Sequence, residues 1–217
     1  MAKTSSPDIL ALEARAQSAA KLYSPSATRN SGPIREVLTG LLPEDAHVLE
    51  VGSGTGEHGE AVCMLRPDIR WTPSDPDPDS RASQSARSIE IEGLQNPLAL
   101  DLTSPDWSAG LGVFNALICC NVIHISPWDV AENLAQAADS LLESDGFVFL
   151  YGPYLEGNAT ASSNLQFDAS LRVRNPQWGV RALDAVTDLF ARYNFELTSR
   201  IDMPANNLSL VFQRLVK

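Results

Sequence analysis

The stretch 47–59, HVLEVGSGTGEHG, constrains the fold of this chain more than any other part of the sequence. A short apolar strand leads directly into a turn with alternating glycines, Gly52, Gly54 and Gly56. Glycine lets the backbone turn sharply and lets a ligand approach without a side chain in between. Because ligands of parallel α/β sheets bind where the strands end, we expect a ligand site at this turn.

The charge around the turn separates two classes of ligand. Gly54, Gly56 and Gly59 also satisfy the dinucleotide spacing G-x-G-x-x-G. A pyrophosphate, however, would be repelled by Glu50 before the turn and by two further acids in the helix that follows. S-adenosylmethionine has no phosphate and carries a sulfonium and an ammonium group, both of which a carboxylate attracts. The sequence therefore favours S-adenosylmethionine as the cofactor over a dinucleotide.

Length and composition indicate one α/β domain over residues 1–217. The chain is long enough for a full core, and 44% of its residues are hydrophobic. A formal net charge of −11 disfavours nucleic acid and anionic membranes as partners. The sequence has no apolar run long enough to span a membrane, and its first residues lack the core of a signal peptide. We therefore expect a cytoplasmic protein, either a monomer or a homodimer.

The spacing of the metal-ligating residues predicts no metal site. Cys119 and Cys120 are adjacent and Cys63 stands alone, so the chain has neither a C-x-x-C pair nor a disulfide framework. The three histidines show no i, i+4 pairing that would suggest zinc. We interpret all three cysteines as packing residues.

Helical and strand patterns alternate along most of the chain. A first helix is predicted from Pro7 to near residue 21, and a second over 33–42. Further helices are predicted over 59–65, 81–93, 130–142 and 181–193, and further strands over 69–73, 98–102, 114–122 and 147–151. Two final strands, 195–201 and 208–215, could pair through a turn. The alternation predicts a Rossmann-like, seven-stranded, mostly parallel sheet with an antiparallel edge strand.

Two acids follow strands in positions that suit an adenosyl ligand. Asp75 lies about 20 residues after the glycine turn, where a carboxylate can accept hydrogen bonds from both ribose hydroxyls. Asp77 and Asp79 compete for this role, and the whole acidic stretch could instead be an exposed loop. Asp101 could meet the adenine amine while Leu102 packs on the ring, although Asp101 could equally cap a helix or lie in a solvated loop.

The residues after the central strand are candidates for the chemistry. Asn121 and His124 would lie beside the methyl group of the cofactor, and His124 is the candidate general base because an imidazole titrates near neutral pH. Tyr154 is a third catalytic candidate. The alternative for His124 is a hydrogen-bonded structural histidine.

The segment 152–179 shows no clear period and is interpreted as the substrate side of the pocket. Its neighbourhood supplies aromatic walls, Tyr151 and Trp178 among them. Arg172 and Arg174 could hold an anionic substrate group from one face of an extended stretch. The alternative is that these arginines form ion pairs with acids such as Asp168.

With these residues in view, the chain resembles the class I S-adenosylmethionine-dependent methyltransferases. Within that class it resembles most closely the uncharacterised methyltransferase-like 26 family, which includes the protein of that name in animals. The resemblance rests on ATRN (27–30), VLEVGSGTGEH (48–58), WTPSD (71–75), YGPY (151–154), RVRNPQWGVR (172–181) and DMPANN (202–207). The glycine turn is shared by the broad class, whereas the last three of these motifs are specific to the family.

The resemblance implies roles for several residues. Glu50 and the three glycines of the turn would line the methionine end of the cofactor, while Asp75 would bind ribose and Asp101 would lie near adenine. Arg29 and Asn30 resemble an N-terminal lid, over residues 1–30, that could reach the cofactor carboxylate. Asn121 is followed by Val-Ile-His rather than the Pro-Pro-Tyr of amide and nucleobase methylation, so we do not expect such acceptors.

The sequence thus predicts a methyltransferase that acts on a small-molecule acceptor. One alternative is a regulatory or scaffold protein that binds S-adenosylmethionine, or its product S-adenosylhomocysteine, without transferring a methyl group. A weaker alternative is a nucleotide-dependent oxidoreductase, against which the carboxylates around the turn argue.

Overall fold

A computed structural model describes residues 14–18 and 20–215 and has the predicted alternation of strands and helices. The strands are β1 (Ala16–Ser18), β2 (Lys21–Tyr23), β3 (His47–Val51), β4 (Arg70–Ser74), β5 (Phe114–Cys120), β6 (Leu142–Leu155), β7 (Arg181–Ala182), β8 (Phe195–Met203) and β9 (Asn207–Arg214). The α-helices are α1 (Pro25–Leu41), α2 (Glu57–Cys63), α3 (Pro78–Ser88), α4 (Trp128–Leu141), α5 (Ser162–Arg174) and α6 (Leu183–Ala191).

The main sheet confirms the α/β prediction. Six of its seven strands lie in the order β4-β3-β5-β6-β9-β8, and β7 pairs with the end of β6. The pairs β3 with β4, β3 with β5, β5 with β6, and β6 with β7 are parallel. Strand β9 is antiparallel to both β6 and β8, so the antiparallel strand lies one position inside the edge. All the parallel strands therefore end at one edge of the sheet, where the glycine turn begins.

The hydrophobic core covers both faces of the sheet. Strand β5 is apolar at nearly every position because its alternate side chains enter different layers. Ile118 packs on the layer that contains Leu38 of α1, whereas Leu117 packs on the layer that contains Leu134 of α4 and Phe190 of α6. Burial on both sides explains why this strand was predicted from sequence as central.

The predicted N-terminal helix is wrong where the structure describes it. Residues 16–18 and 21–23 pair as an antiparallel β-hairpin, and the earlier part of the prediction lies outside the described residues. The hairpin is stabilised by helix α3. The backbone N–H of Leu22 donates to Ser83 Oγ at 2.9 Å, and Arg87 donates to the Leu22 carbonyl at 2.6 Å. Contacts distant in sequence thus override the local helical pattern.

Helix α1 begins at Pro25 rather than near residue 33. Ser24 is the N-cap residue and its side chain accepts a hydrogen bond from the backbone of Ala27, while Pro25 suits the first helical turn. Pro33 lies inside the helix, which continues because the residues after it bury Ile34 and Leu38. The ATRN stretch is therefore helical and leads into the core.

Two further predictions along the chain are corrected. Residues 98–102 form no strand, because Leu98 makes only an isolated bridge to Ser74 at the sheet edge. The segment 152–179 is not irregular throughout, since β6 extends to Leu155 and α5 follows it. The buried residues of helix α5 are Asn164 and Leu171. Because one of these two buried positions is polar, the hydrophobic residues alone do not show the helical period. Among the described helices, none is long and apolar enough to cross a membrane.

Replacement of Gly59 by alanine tests the packing of α2 on the sheet. A Cβ at Gly59 would lie 2.6 Å from Trp71 Nε1, so we expect Gly59→Ala to lower the free energy of unfolding by about 1–3 kcal/mol. Urea unfolding measures this change. The matched control is Gly40→Ala in α1, where no atom lies within 4 Å of an added Cβ and stability should not fall. Equal losses in the two variants would contradict the packing argument.

Candidate functional site

The glycine turn adopts a backbone that other residues rarely reach. Gly52, Gly54 and Gly56 have φ angles of 62°, 54° and 86°, all in the left-handed region. A Cβ at Gly52 would also lie 2.4 Å from the side chain of Val122, in the loop after β5. The turn therefore needs glycine both for conformation and for close approach to the neighbouring strand end.

Asp75 directly follows β4, where the sequence predicted it, and it holds the glycine turn, while its ribose contact stays a prediction. Its carboxylate accepts hydrogen bonds from the backbone N–H of Gly54 and of Asp77, both at 2.9 Å. The side chain is buried, and burial raises the pKa of Asp75 above its usual range. Asp77 is instead the N-cap of α3, and Asp79 is exposed. Among the three acids, Asp75 is the one that reaches the turn.

Glu50 lies beneath the turn with both carboxylate oxygens engaged. Its Oε1 lies 3.1 Å from His58 Nδ1, and its Oε2 accepts a hydrogen bond from Trp71 Nε1 at 3.1 Å. Only 1% of Glu50 is exposed. The acid therefore supports the turn from inside the protein, on the side of α2.

Glu57 anchors the beginning of α1 to the glycine turn. One oxygen of its carboxylate accepts hydrogen bonds from the backbone N–H of Ser24 and from Thr55 Oγ1, both at 2.7 Å. The other accepts from Thr28 Oγ1 at 2.5 Å. From the sequence, Glu57 was expected only to contribute negative charge near the ligand. The serine and threonine residues of SPSATRN (24–30) could have indicated that a helix begins here and that its first residues bind an acid.

Arg29 and Asn30 are carried by this anchored helix start. Arg29 is exposed and Asn30 is half-buried. Burial raises the pKa of Tyr151 in β6 to about 12, and the positive charge of nearby Arg29 opposes part of that rise. The beginning of α1 therefore lies near the carboxyl end of the sheet.

Arg87 is a structural residue that the sequence did not reveal. Its guanidinium is fully buried in α3, where it donates to the Thr55 carbonyl at 2.9 Å and forms an ion pair with Glu60. It also lies over the ring of Tyr23 at 4.7 Å. Helix α3 has a mostly polar sequence, in which one more arginine does not stand out. The sequence therefore gives no sign that Arg87 links the hairpin to the turn.

Asn121 and His124 follow β5 in the predicted place. Asn121 has a φ of 62° and its N–H donates to the Tyr151 carbonyl at 2.8 Å. His124 is 1% exposed and makes an edge-on contact with the ring of Tyr154 at 5.3 Å. Burial lowers the pKa of His124 to about 3, which leaves a weak proton acceptor. Both ring nitrogens of His124 are buried without a hydrogen-bond partner in the described part of the chain, so the hydrogen bonds of the structural alternative are absent there, and the base role stays a prediction.

A second clamp holds the loop that carries His124. Arg181 donates to the carbonyls of Ile123 at 2.9 Å and Ser126 at 2.6 Å, and the N–H of Gly179 donates to the His124 carbonyl at 3.0 Å. Arg181 was not predicted from sequence as a functional residue. Its only signal was the last position of the RVRNPQWGVR motif.

Asp101 and Leu102 have local roles in the structure. The carboxylate of Asp101 accepts hydrogen bonds from the N–H and the hydroxyl of Thr103, at 3.0 and 2.7 Å, and Asp101 is exposed in a loop, which agrees with the loop alternative. Leu102 is 6% exposed and belongs to the main core. An adenine contact of either residue stays a prediction.

The prediction that two arginines lie on one face of an extended stretch is wrong. Arg172 and Arg174 lie in the last turn of helix α5, where residues two apart point in different directions. Arg172 forms the predicted alternative, an ion pair with Asp168 at 2.8 Å. Trp178 is 8% exposed and packs with Leu171 and others in a small satellite core rather than forming an open wall.

A surface cavity of about 380 Å³ lies far from these groups. It is lined by Leu42, Glu44, Asp45, Arg66 and Asp68, at the edge of the sheet where the parallel strands begin. Its polar groups are engaged with one another, since Arg66 pairs with Asp68 at 2.6 Å. The carboxyl edge therefore remains the candidate site, on the grounds of its chemistry.

The strand order and the glycine turn at the carboxyl edge define a Rossmann-like α/β fold of the class I methyltransferase type. The chain belongs to the family described as a protein of unknown function, DUF938, whose model matches residues 21–214.

Solved structures share the fold at low sequence identity. The pyocyanin biosynthetic protein PhzM matches with a TM-score of 0.69 and 17% identity, over 88% of this chain and 59% of its own. An O-methyltransferase family protein from Burkholderia thailandensis matches with a TM-score of 0.74 and 14% identity, over 88% and 57%. Human N-acetylserotonin methyltransferase in complex with S-adenosylmethionine matches with a TM-score of 0.70 and 13% identity, over 86% and 52%. This chain thus spans between half and three fifths of these proteins.

Replacement of His124 tests its buried, uncharged state. Folding lowers the pKa of His124 from 6.5 to about 3. As the pH falls below 6.5, this side chain therefore takes up a proton in the unfolded chain before it does so in the folded protein, and stability is lost. We expect His124→Gln to lose about 3 kcal/mol less unfolding free energy than the wild type between pH 7 and pH 4.

Urea unfolding at both pH values provides the measurement. Tyr154→Phe is the control, since it keeps the ring against His124 and should retain the pH dependence of the wild type. An unchanged dependence in His124→Gln would contradict the buried neutral imidazole.

Proposed function

We propose that this protein is an S-adenosylmethionine-dependent methyltransferase that acts on a small-molecule acceptor. The observation that carries the proposal is the glycine turn at the end of β3, with Asp75 bonded to the N–H of Gly54. This arrangement presents bare backbone and a carboxylate at the carboxyl edge of a parallel sheet, where such folds bind nucleotide-like ligands.

The charges around the turn support a cationic ligand rather than a phosphate. Glu50, Glu57 and Asp75 are all buried beside it. A helix that begins with Glu57 offers a poor site for a pyrophosphate, whereas a sulfonium gains from nearby carboxylates. The structural neighbours support the same cofactor, since one was solved with S-adenosylmethionine and another, CalO1 of calicheamicin biosynthesis, in an S-adenosylhomocysteine-bound form at 14% identity.

The proposed site combines the residues selected from sequence with their observed places. The cofactor would contact the glycine turn, Asp75, the residues after β5 and the start of α1. The proposed cofactor-binding residues are Arg29, Asn30, Glu50, Gly52, Gly54, Gly56, Asp75, Asp101, Leu102 and Asn121. Residues 1–30 would form a lid and 152–179 the substrate side of a single domain. The motifs shared with the methyltransferase-like 26 family support membership of that narrower group.

Positioning would supply most of the rate. When S-adenosylmethionine is bound, its sulfonium already provides an electrophilic methyl group. The protein must align the acceptor in line with the bond from sulfur to methyl, so that this bond breaks as the new bond to the methyl group forms. A neutral acceptor also loses a proton, which would leave to solvent because the buried His124 is poorly placed to take it. Tyr151 and Asn121 at the carboxyl edge would instead orient the acceptor.

Calorimetric titration tests the cofactor assignment. The protein would be titrated with S-adenosylmethionine, S-adenosylhomocysteine and a nicotinamide dinucleotide. We expect binding of both adenosyl ligands and an approximately 10- to 100-fold loss of affinity in Asp75→Ala, because hydrogen bonds to a carboxylate are lost. Asp79 is exposed in the first turn of α3, four residues after Asp75, and serves as the control. The Asp79→Ala variant should bind as the wild type does. Absence of adenosyl binding would refute the proposal, and binding without transfer to any acceptor would favour a regulatory protein.

Turnover of His124→Gln tests the base role. An acceptor would first be found by screening small phenols, alcohols and carboxylic acids for production of S-adenosylhomocysteine. We expect kcat to fall less than about tenfold, since a general base contributes about 100-fold or more. A drop of that larger size, in a variant shown to be folded, would restore His124 as the base.

A further inference from the structure

The hydroxyl of Tyr151 is buried at the carboxyl edge of the sheet without a hydrogen-bond partner. Only 1% of Tyr151 is exposed, and its Oη makes no hydrogen bond of normal geometry to the described part of the chain. Ser209, the residue that pairs with Tyr151 on β9, has a buried Oγ in the same state. Buried hydroxyls are nearly always bonded, because an unmade hydrogen bond is costly away from water. Two neighbouring unbonded hydroxyls therefore favour a place where a ligand supplies the partner.

Tyr151 lies on the face of the sheet that α1 covers, to one side of the glycine turn. It belongs to the same core layer as Leu38 of α1. Strand β5 lies between β6 and β3, whose end carries the turn. Because neighbouring strands are about 4.8 Å apart, Tyr151 lies roughly 10 Å from the turn along this edge. A cofactor at the turn and an acceptor over Tyr151 would therefore meet above the end of β5.

The groups around the Tyr151 hydroxyl suit an oxygen that carries negative charge. Burial raises the pKa of Tyr151 to about 12, so the hydroxyl stays protonated and is a hydrogen-bond donor. The positive charge of Arg29 and the side chain of Asn207 both lower this pKa in part, although no hydrogen bond of normal geometry joins Asn207 to the hydroxyl. The amide of Asn207 donates to the Pro204 carbonyl at 2.9 Å and has a second N–H.

The neighbours of Tyr151 are unable to take a proton from an acceptor. Cys120 is the paired residue on β5, and burial raises the pKa of its thiol well above the usual value. His124 packs against Tyr154 in the core layer on the other face of β6. A phenol or an alcohol would thus arrive here with its proton, whereas a carboxylic acid, with a pKa of about 4, arrives ionised. This place is therefore suited to a carboxylate.

We propose that the methyl acceptor is a small carboxylic acid whose carboxylate is bound by Tyr151 and Asn207, with positive charge supplied by Arg29. This inference rests on the proposed methyltransferase function and specifies its substrate class. One carboxylate oxygen forms a bond to the methyl carbon, the bond from that carbon to sulfur breaks, and the electron pair of that bond stays on sulfur. The products are a methyl ester and S-adenosylhomocysteine, and no proton is released. The Tyr151 hydroxyl donates to the other carboxylate oxygen and so orients the attack.

The charge of such an acceptor also complements the cofactor. A carboxylate and a sulfonium attract each other, and both charges disappear as the methyl group is transferred. Glu50 and Asp75, which would repel a second anion, lie on β3 and directly after β4, on the far side of β5 from Tyr151. The acids at the turn and the donors near Tyr151 therefore serve opposite charges at two places along one edge.

Transfer from S-adenosylmethionine with a tritiated methyl group tests the acceptor class. The full chain is assayed with a panel of aliphatic and aromatic carboxylic acids, each beside the corresponding primary alcohol. A methyl ester releases tritiated methanol in mild base, whereas a methyl ether keeps its label. We expect base-labile label from acids and no label from alcohols.

Replacement of Tyr151 tests its role with the acid that reacts best. We expect Tyr151→Phe to lower kcat/KM about 10- to 100-fold, mainly through KM, because a hydrogen bond to a charged group is lost. Its affinity for S-adenosylhomocysteine should stay that of the wild type, which a defect in folding would not allow. Tyr193→Phe is the matched control, since Tyr193 lies before β8 at the opposite edge of the sheet, and its kcat/KM should not change.

Two results would overturn the inference while the proposed function stands. The first is a protein that binds S-adenosylhomocysteine yet gives no base-labile product from the acids, whether or not it methylates alcohols, phenols or amines. The second is a folded Tyr151→Phe variant that methylates the acid as the wild type does. Absence of adenosyl binding in the calorimetric titration would instead refute the proposed function, and this inference with it.

Discussion

Burial of charge around the glycine turn is the constraint on which the rest of the site depends. Glu57 accepts three hydrogen bonds and so decides where α1 begins. Arg87, fully buried, binds the turn, the hairpin and α2 together. A buried charge without such partners would cost several kcal/mol, so these contacts specify one arrangement of the elements around the ligand edge.

The sheet supplies the platform on which those charges act. Parallel strands β3, β4 and β5 end together, and the two-sided burial of β5 leaves its backbone little freedom to shift. The turn can then hold three left-handed glycines against a neighbouring strand end. Because ligand contacts at such an edge come mainly from loops, a firm sheet and tightly bonded loops together determine how a nucleotide-like ligand would be received.

The parts of the fold that were predicted from sequence are those with strong local patterns. Strands β3 and β5 were predicted because their apolar runs allow few other structures. Helix α5 was missed because Asn164 occupies one of its buried positions, where it donates to the carbonyls of Tyr154 and Asn206. The hairpin of β1 and β2 was missed because its stability comes from α3.

The sequence by itself determined the α/β alternation, the glycine turn and the position of Asp75, since strand runs, glycines and the residue after a strand are local features. Only the tertiary structure decided which charged groups meet. Glu57 with Ser24, Arg181 with the loop after β5, and Glu50 with His58 are contacts across the chain. No sequence spacing encodes them, because they exist only after the hydrophobic sheet has brought its strand ends and helices together.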